Sequence, residues 1–174
     1  MSQIKLVEPS MKYRESYLDM IAEWHEANEN VVPFVLKMET DNFEKMVQEL
    51  KGFSQGMGIP ETFVPHTTYW LMNEHENIIG VINIRHYLNE RLIHIGGHIG
   101  YGVRPSERKK GYATMMLRLA LEKAKDMDMK EVLITCDKEN IGSAKTIISN
   151  GGQLESEVET EDGRIAQRFW IRFD

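Results

Sequence analysis

The stretch Gly100-Tyr101-Gly102-Val103-Arg104-Pro105-Ser106-Glu107-Arg108-Lys109-Lys110-Gly111-Tyr112-Ala113-Thr114 concentrates the residues that could do chemistry. Its first part has strand character, its middle is a basic turn, and its end opens a helical pattern. The first turn of a helix carries backbone N–H groups with no internal partner. Those donors, with the positive end of the helix dipole, form an anion site suited to a pyrophosphate. Gly111 lets the backbone approach phosphates, Ala113 keeps the wall low, and Arg108, Lys109 and Lys110 add positive potential. A P-loop is excluded because no Gly-Lys-Ser/Thr follows at the required spacing. A dinucleotide fingerprint is excluded because no G-x-G-x-x-G bridges strand and helix.

Other candidate centres are thinner. Cys136, the only cysteine, lies in the apolar run Val132-Leu133-Ile134-Thr135-Cys136 and reads as a buried thiol. His94 and His98 have a spacing that would suit zinc on a helix, but their segment reads as strand, so no metal site is expected. The net charge of −6 argues against a nucleic-acid partner and is compatible with a cationic acceptor. With 174 residues, 41% apolar and 28% charged, the chain suits one globular domain over residues 1–174. No apolar run approaches the roughly 20 residues that cross a bilayer, so no membrane partner is expected. The start MSQIKLVEPS lacks the pattern of a signal peptide, and a cytoplasmic location is the expectation.

The elements that must position the basic turn follow from periodicity. Ile4 to Val7 reads as a strand ended by Pro9. Ser10 caps a helix from about Met11 to Glu29, with Tyr13, Tyr17, Met20, Ile21 and Trp24 at helical spacing. Asp41 and Glu44 resemble a capping box opening a second helix through about Lys51. Residues 52–66, with three glycines and two prolines, form a long loop of the kind that often serves function. Strands are expected over Thr67 to Met72, Ile78 to His86 and Leu92 to Val103, paired antiparallel through short turns. A Met-rich helix runs from Lys110 to about Met127, followed by a strand over Glu131 to Cys136. A last helix spans Asn140 to Asn150, stopped by Gly151-Gly152. Leu154 to Glu159 and Ile165 to Phe173 pair as a hairpin around Asp162-Gly163. The fold class is α/β: a mixed, mostly antiparallel sheet flanked by helices.

Arg108-x-x-Gly111-x-Ala113 resembles the Arg/Gln-x-x-Gly-x-Gly/Ala signature of the GNAT N-acetyltransferase family. Val103 matches the apolar residue ending that family's fourth strand. A second signature, Asn140, Ser143 and Asn150-Gly151-Gly152, resembles the helix after its fifth strand. The resemblance implies an acyl-CoA N-acyltransferase fold with acetyl-CoA as co-substrate and a small-molecule or protein amine as acceptor. A homodimer is compatible with it. Lys109 to Thr114 would hold the pyrophosphate. Tyr101, Gly102 and Val103 would line the pantetheine arm, with the Val103 N–H polarising the thioester carbonyl. Asn140 and Ser143 would meet the cofactor near its thiol end.

The family's catalytic groups are harder to carry over. Its strand base lies four or six residues before Val103, where this chain has Ile99 and Gly97. His98 is the nearest ionisable candidate, although alternation turns it to the other face unless a bulge intervenes. Glu61, His66 and His86 are more distant ones. The family's tyrosine acid falls at Ile147, leaving Tyr101 and Tyr112 as nearby phenols. Three rival readings remain: a non-catalytic acyl-CoA-binding or sensor module, a nucleotide-binding domain with a parallel sheet, and a zinc hydrolase.

Overall fold

In a computed structural model of the chain, which describes residues 3–174, two antiparallel sheets lie side by side. The first contains β1 (Lys5–Val7), β2 (His66–Met72), β3 (Ile78–Arg85) and β4 (Ile99–Val103), in that order. The second contains β5 (Glu131–Asp137), β7 (Ile165–Arg172) and β6 (Gln153–Glu159), with β7 in the centre. The helices are α1 (Arg14–Glu26), α2 (Phe43–Phe53), α3 (Glu90–His94), α4 (Tyr112–Asp126) and α5 (Ile141–Ser149).

The first sheet is covered on both faces. That explains why β3 reads as a near-continuous apolar run. Tyr17, Met20, Ile21 and Trp24 of α1 share one cluster with Phe43, Met46, Val47 and Leu50 of α2, and with Trp70 and Val81 of the sheet. Tyr17 stacks on Trp70 with ring centroids 4.6 Å apart. On the opposite face, Met116, Leu117, Ala120, Leu121 and Ala124 of α4 pack against Leu71, Ile82 and Ile84. Each fully buried large side chain contributes about 1.5–3 kcal/mol, so α1 and α4 are fixed firmly to the sheet they flank.

One expected element is overturned. The segment Leu92 to Val103 is not one strand. Its start is the short helix α3, capped by Asn89, whose side chain accepts from the Leu92 N–H at 2.9 Å. Gly96 and Gly97, both at positive φ, then turn the chain into β4. The expected α/β class, a mostly antiparallel sheet flanked by helices, is borne out, with the strands divided into two antiparallel sheets joined among the described residues by the isolated bridge Gly97–Ile134. A smaller shift concerns α2, whose cap is Asn42, accepting from the Lys45 N–H at 3.1 Å, rather than Asp41.

The junction of the sheets is tight at one end. The His98 N–H donates to the Leu133 carbonyl at 2.7 Å. The Leu133 N–H donates to His98 Nδ1 at 2.8 Å, and the Gly96 N–H donates to Thr135 Oγ1 at 3.0 Å. Gly97 is essential there, because a Cβ on it would land on the Leu133 carbonyl oxygen. Past this point β4 has no strand partner on its β5 side among the described residues, and the sheets part toward Val103.

Candidate active site

The parting of the sheets exposes one edge of β4. The Arg85 N–H donates to the His98 carbonyl and the Arg104 N–H to the Ile79 carbonyl, which fixes the hydrogen-bonding register of β4 on β3. In an antiparallel ladder bonded and non-bonded pairs alternate. Gly100 and Gly102 therefore bond to β3, while the N–H and C=O groups of Tyr101 and Val103 point to the open edge. Arg108 Nε donates to the Val103 carbonyl at 3.0 Å. Among the described residues, the Val103 N–H and both main-chain groups of Tyr101 have no strand partner.

A cleft of about 620 Å³ runs from this edge to the start of α4. Gly111 caps α4 at φ 85° with no side-chain cap bond. The first N–H of the helix region with a backbone acceptor is that of Met115, bonded to the Gly111 carbonyl at 3.2 Å. The N–H groups of Tyr112, Ala113 and Thr114 are thus open donors at a dipole's positive end. Lys109, also at positive φ (62°), helps to fold the turn back over them. A Cβ at Gly111 would meet nothing within 4 Å, so the space above it belongs to a ligand or to solvent.

The turn is anchored on α1. The buried Arg104 pairs with Asp19 at 2.6 Å and with Glu23 at 3.2 Å. Glu23 also accepts from the Ser106 hydroxyl at 2.6 Å and the Ser106 N–H at 3.0 Å. Burial alone would raise the Glu23 pKa, but the bonds from Ser106 and Arg104 outweigh it and hold the carboxyl below its usual range.

Eleven of the twelve expected cofactor contacts line this cleft: Tyr101, Gly102, Val103, Arg108, Lys109, Gly111, Tyr112, Ala113, Thr114, Asn140 and Ser143. Lys110 does not, and its ammonium pairs with Glu107 at 3.1 Å. Arg108 is committed to protein contacts, pairing with Glu29 at 2.8 Å and lying over the Trp24 ring at 5.6 Å. Trp24 and Val32 also form the wall, and nothing in their local sequence marked them. Gly102 admits them, because a Cβ there would collide with the Val32 carbonyl oxygen and touch Trp24.

The groups proposed for chemistry are placed as follows. Tyr101 Oη lies 2.8 Å from Ser143 Oγ, and burial pushes the phenol up to about 12, so it stays protonated. Asn140 caps α5, its Oδ1 accepting from the Ser143 N–H at 3.1 Å. Ile147 is fully buried in the core. His98 Nδ1 is occupied by the Leu133 N–H, which places the ring proton on Nε2 and engages the lone pair a base would use. Burial and then Arg85 push His98 down to about 4. Cys136 is half-buried, and burial raises its thiol pKa. Of the more distant base candidates, His66 is buried beside Asn83, His86 contacts Thr67 Oγ1 at 2.7 Å, and Glu61 is exposed on the loop. Among the described residues no group of three or more His, Cys, Asp or Glu could hold a metal ion, and no helix is long and apolar enough to cross a membrane.

An open-edged fourth strand feeds a helix N-terminus that has no side-chain cap, and comparison with known proteins places the chain in a family. A family model described as an acetyltransferase (GNAT) domain matches residues 11–153. The chain belongs to the GNAT acetyltransferase family. No curated protein sequence matches it. Among solved structures it is similar to the microcin self-immunity acetyltransferase MccE in complex with acetyl-CoA and AMP, at 16% identity and TM-score 0.70, covering 99% of this chain and 94% of that one. It is also similar to RimL, a ribosomal-protein alpha-N-acetyltransferase in complex with coenzyme A, at 14% identity and TM-score 0.74, covering 100% and 96%. A chimera of spermidine N-acetyltransferase SpeG from Vibrio cholerae aligns at 13% identity and TM-score 0.65, over 98% and 96%. At these identities the likeness shows the shared fold.

Proposed function

We propose that this chain is an acetyl-CoA-dependent N-acetyltransferase that acts on a primary amine by direct transfer in a ternary complex. One observation carries the reading: the open N–H groups of α4 and the unpaired edge of β4 line the same cleft. The first set suits a pyrophosphate, and the second suits the amides of a pantetheine arm laid beside β4 as an added strand. Acetyl-CoA, when bound, supplies an acyl group on a thioester that an amine can attack.

The chain's own groups divide the remaining work. The Val103 N–H is the donor for the carbonyl oxygen, where charge develops. Tyr101, protonated and braced by Ser143, takes the place of the absent tyrosine at Ile147 as proton donor for the leaving sulfur. Asn140 fixes the position of Ser143 and so of that phenol. His98 is the remaining candidate on the acceptor side, and it can serve as base only if it releases the Leu133 N–H. Otherwise the amine gives its proton to water, and proximity supplies much of the rate.

The test is thiol release from acetyl-CoA in the presence of a panel of primary amines, with the acetylated product identified by mass. Amine-dependent release is expected. Tight acetyl-CoA binding with no turnover by any amine would overturn transfer and leave a non-catalytic acyl-CoA-binding module.

A further inference from the structure

A second cavity, of about 240 Å³, lies on the α1–α2 side of the first sheet and shares no lining residue with the cleft. Its walls are Phe34, Phe63, His66, Arg85 and Arg91. It nevertheless abuts the cleft. Val32 lines the cleft and Phe34 the cavity, with only Pro33 between them. On the strand side, a Cβ built at Gly100 would lie 3.4 Å from Arg85 Nη2 and 3.6 Å from Pro33 Cβ. Tyr101, the next residue, lines the cleft.

The chemistry of this cavity is unusual for a chain of net charge −6. Arg85 is mostly buried, and only its Nη1 is engaged, donating to the carbonyls of Gly96 and Gly97 at 2.9 and 3.1 Å. Its Nε and Nη2 make no hydrogen bond among the described residues. Neither Arg85 nor Arg91 has a carboxylate within ion-pair distance there, although most other arginines do. A buried charge is ordinarily paired. Burial, and then Arg91, depress Arg85 to about 10, the condition an anion would relieve.

The remaining walls add a neutral donor and one apolar wall, in which the Phe34 and Phe63 rings meet edge to face with centroids 5.7 Å apart. His66 Nδ1 accepts from Asn83 Nδ2 at 2.8 Å, which leaves the ring proton on Nε2. The guanidinium of Arg85 lies 5.8 Å from the Phe34 ring, and that of Arg91 lies 5.3 Å from the Phe63 ring. A cavity of about 150 Å³ suffices for a benzene ring, so ring and anion both fit.

We infer that this cavity is the acceptor subsite and that it selects amines carrying an anionic group, a carboxylate or a phosphoryl, on a flat apolar body. Arg85 and Arg91 hold the anion, the contacting pair Phe34 and Phe63 forms one apolar wall for the body, and the amine projects past Gly100 toward the cleft. A polycationic amine is rejected by the same two arginines. The inference rests on the transferase reading for the word acceptor, but the anion site itself does not.

Calorimetric titration of the intact chain with three non-reactive probes, benzoate, phenyl phosphate and benzamide, tests the site directly. Both anions should bind at least tenfold more tightly than benzamide, and the tighter of the two identifies the carboxylate or the phosphoryl source. Arg91→Gln, on an exposed residue outside the cleft, should weaken that preference at least about threefold, with Arg85 still in place, while leaving acetyl-CoA affinity unchanged. A thiol-release comparison of L-phenylalanine, L-phenylalaninamide, O-phosphoethanolamine and spermidine should favour the anionic amines. Equal binding of the three probes, or an anion preference undiminished in Arg91→Gln, would overturn the inference. Absence of acetyl-CoA binding would instead sink the transferase reading and leave the anion site standing.

Discussion

Gly111→Glu separates binding from folding more cleanly than any other single change. Gly111 sits at φ 85°, and a Cβ there meets no protein atom within 4 Å. The fold loses only the strain of a left-handed residue, about 1–2 kcal/mol. For a chain of this size that lowers the melting point by roughly 2–8 °C. The carboxylate, however, is introduced at a position that lines the cleft and immediately precedes the open N–H groups of Tyr112, Ala113 and Thr114. Each phosphate charge held about 5 Å from it, at an effective dielectric of about 20, is repelled by roughly 3 kcal/mol. Even with most of that screened by solvent, acetyl-CoA affinity should fall by at least about a hundredfold. Gly111→Ala carries the same backbone strain without the charge and should keep affinity within about fivefold of the parent. Calorimetry on both variants, beside melting curves, measures the two effects separately. Equal affinity in the Glu and Ala variants would refute the placement of the pyrophosphate at α4.

Three other outcomes are expected. Tyr101→Phe should lower kcat by about 10²-fold or more if the phenol serves the leaving sulfur, with acetyl-CoA affinity little changed, as steady-state kinetics and calorimetry would show. Gly97→Ala combines positive φ (62°) with a collision on the Leu133 carbonyl, and should cost at least about 3 kcal/mol in denaturant melts, clearly more than Gly111→Ala. Stability should also fall as pH drops from about 6.5 to 4. His66 and His98 are both pushed down to about 4 by burial, so the unfolded chain binds more protons across that window. The stabilisation is full above the unfolded value near 6.5 and is lost on acidification. Melting points of His98→Asn, whose side chain can still accept from Leu133, should depend less on pH over the same range.

Legibility in the sequence followed the range of the interaction. The uncapped start of α4 and the cap of α5 are local events, and Gly111-x-Ala113 and Asn140-x-x-Ser143 expose them directly. Helix α1 was equally plain, because Tyr17, Met20, Ile21 and Trp24 bury one stripe at helical spacing. The segment before β4 misled for a physical reason. Ile93 and Ile95 favour strand, yet the Asn89 cap and the positive φ values of Gly96 and Gly97 impose a helix and a turn. The capping pattern Asn89-x-x-Leu92 was the signal that could have revealed it. The separation into two sheets left no local mark, since it depends on how closely Gly97 approaches Leu133. Trp24 and Val32 reach the cleft only because Gly102 has no side chain. The cavity around Arg85 brings together Phe34, Phe63 and Arg91, which are far apart in the chain and share no spacing a motif could record.

The proposed transfer depends first on binding of acetyl-CoA in the joined cleft of β4 and α4. Thermal shift with acetyl-CoA, NAD and ATP in parallel tests it most directly. At about a hundred times the dissociation constant, binding stabilises by about 2.7 kcal/mol. For this chain length that raises the melting point by roughly 5–11 °C. Such a shift is expected with acetyl-CoA alone, whereas no shift with acetyl-CoA, or one produced only by NAD or ATP, would overturn that assignment.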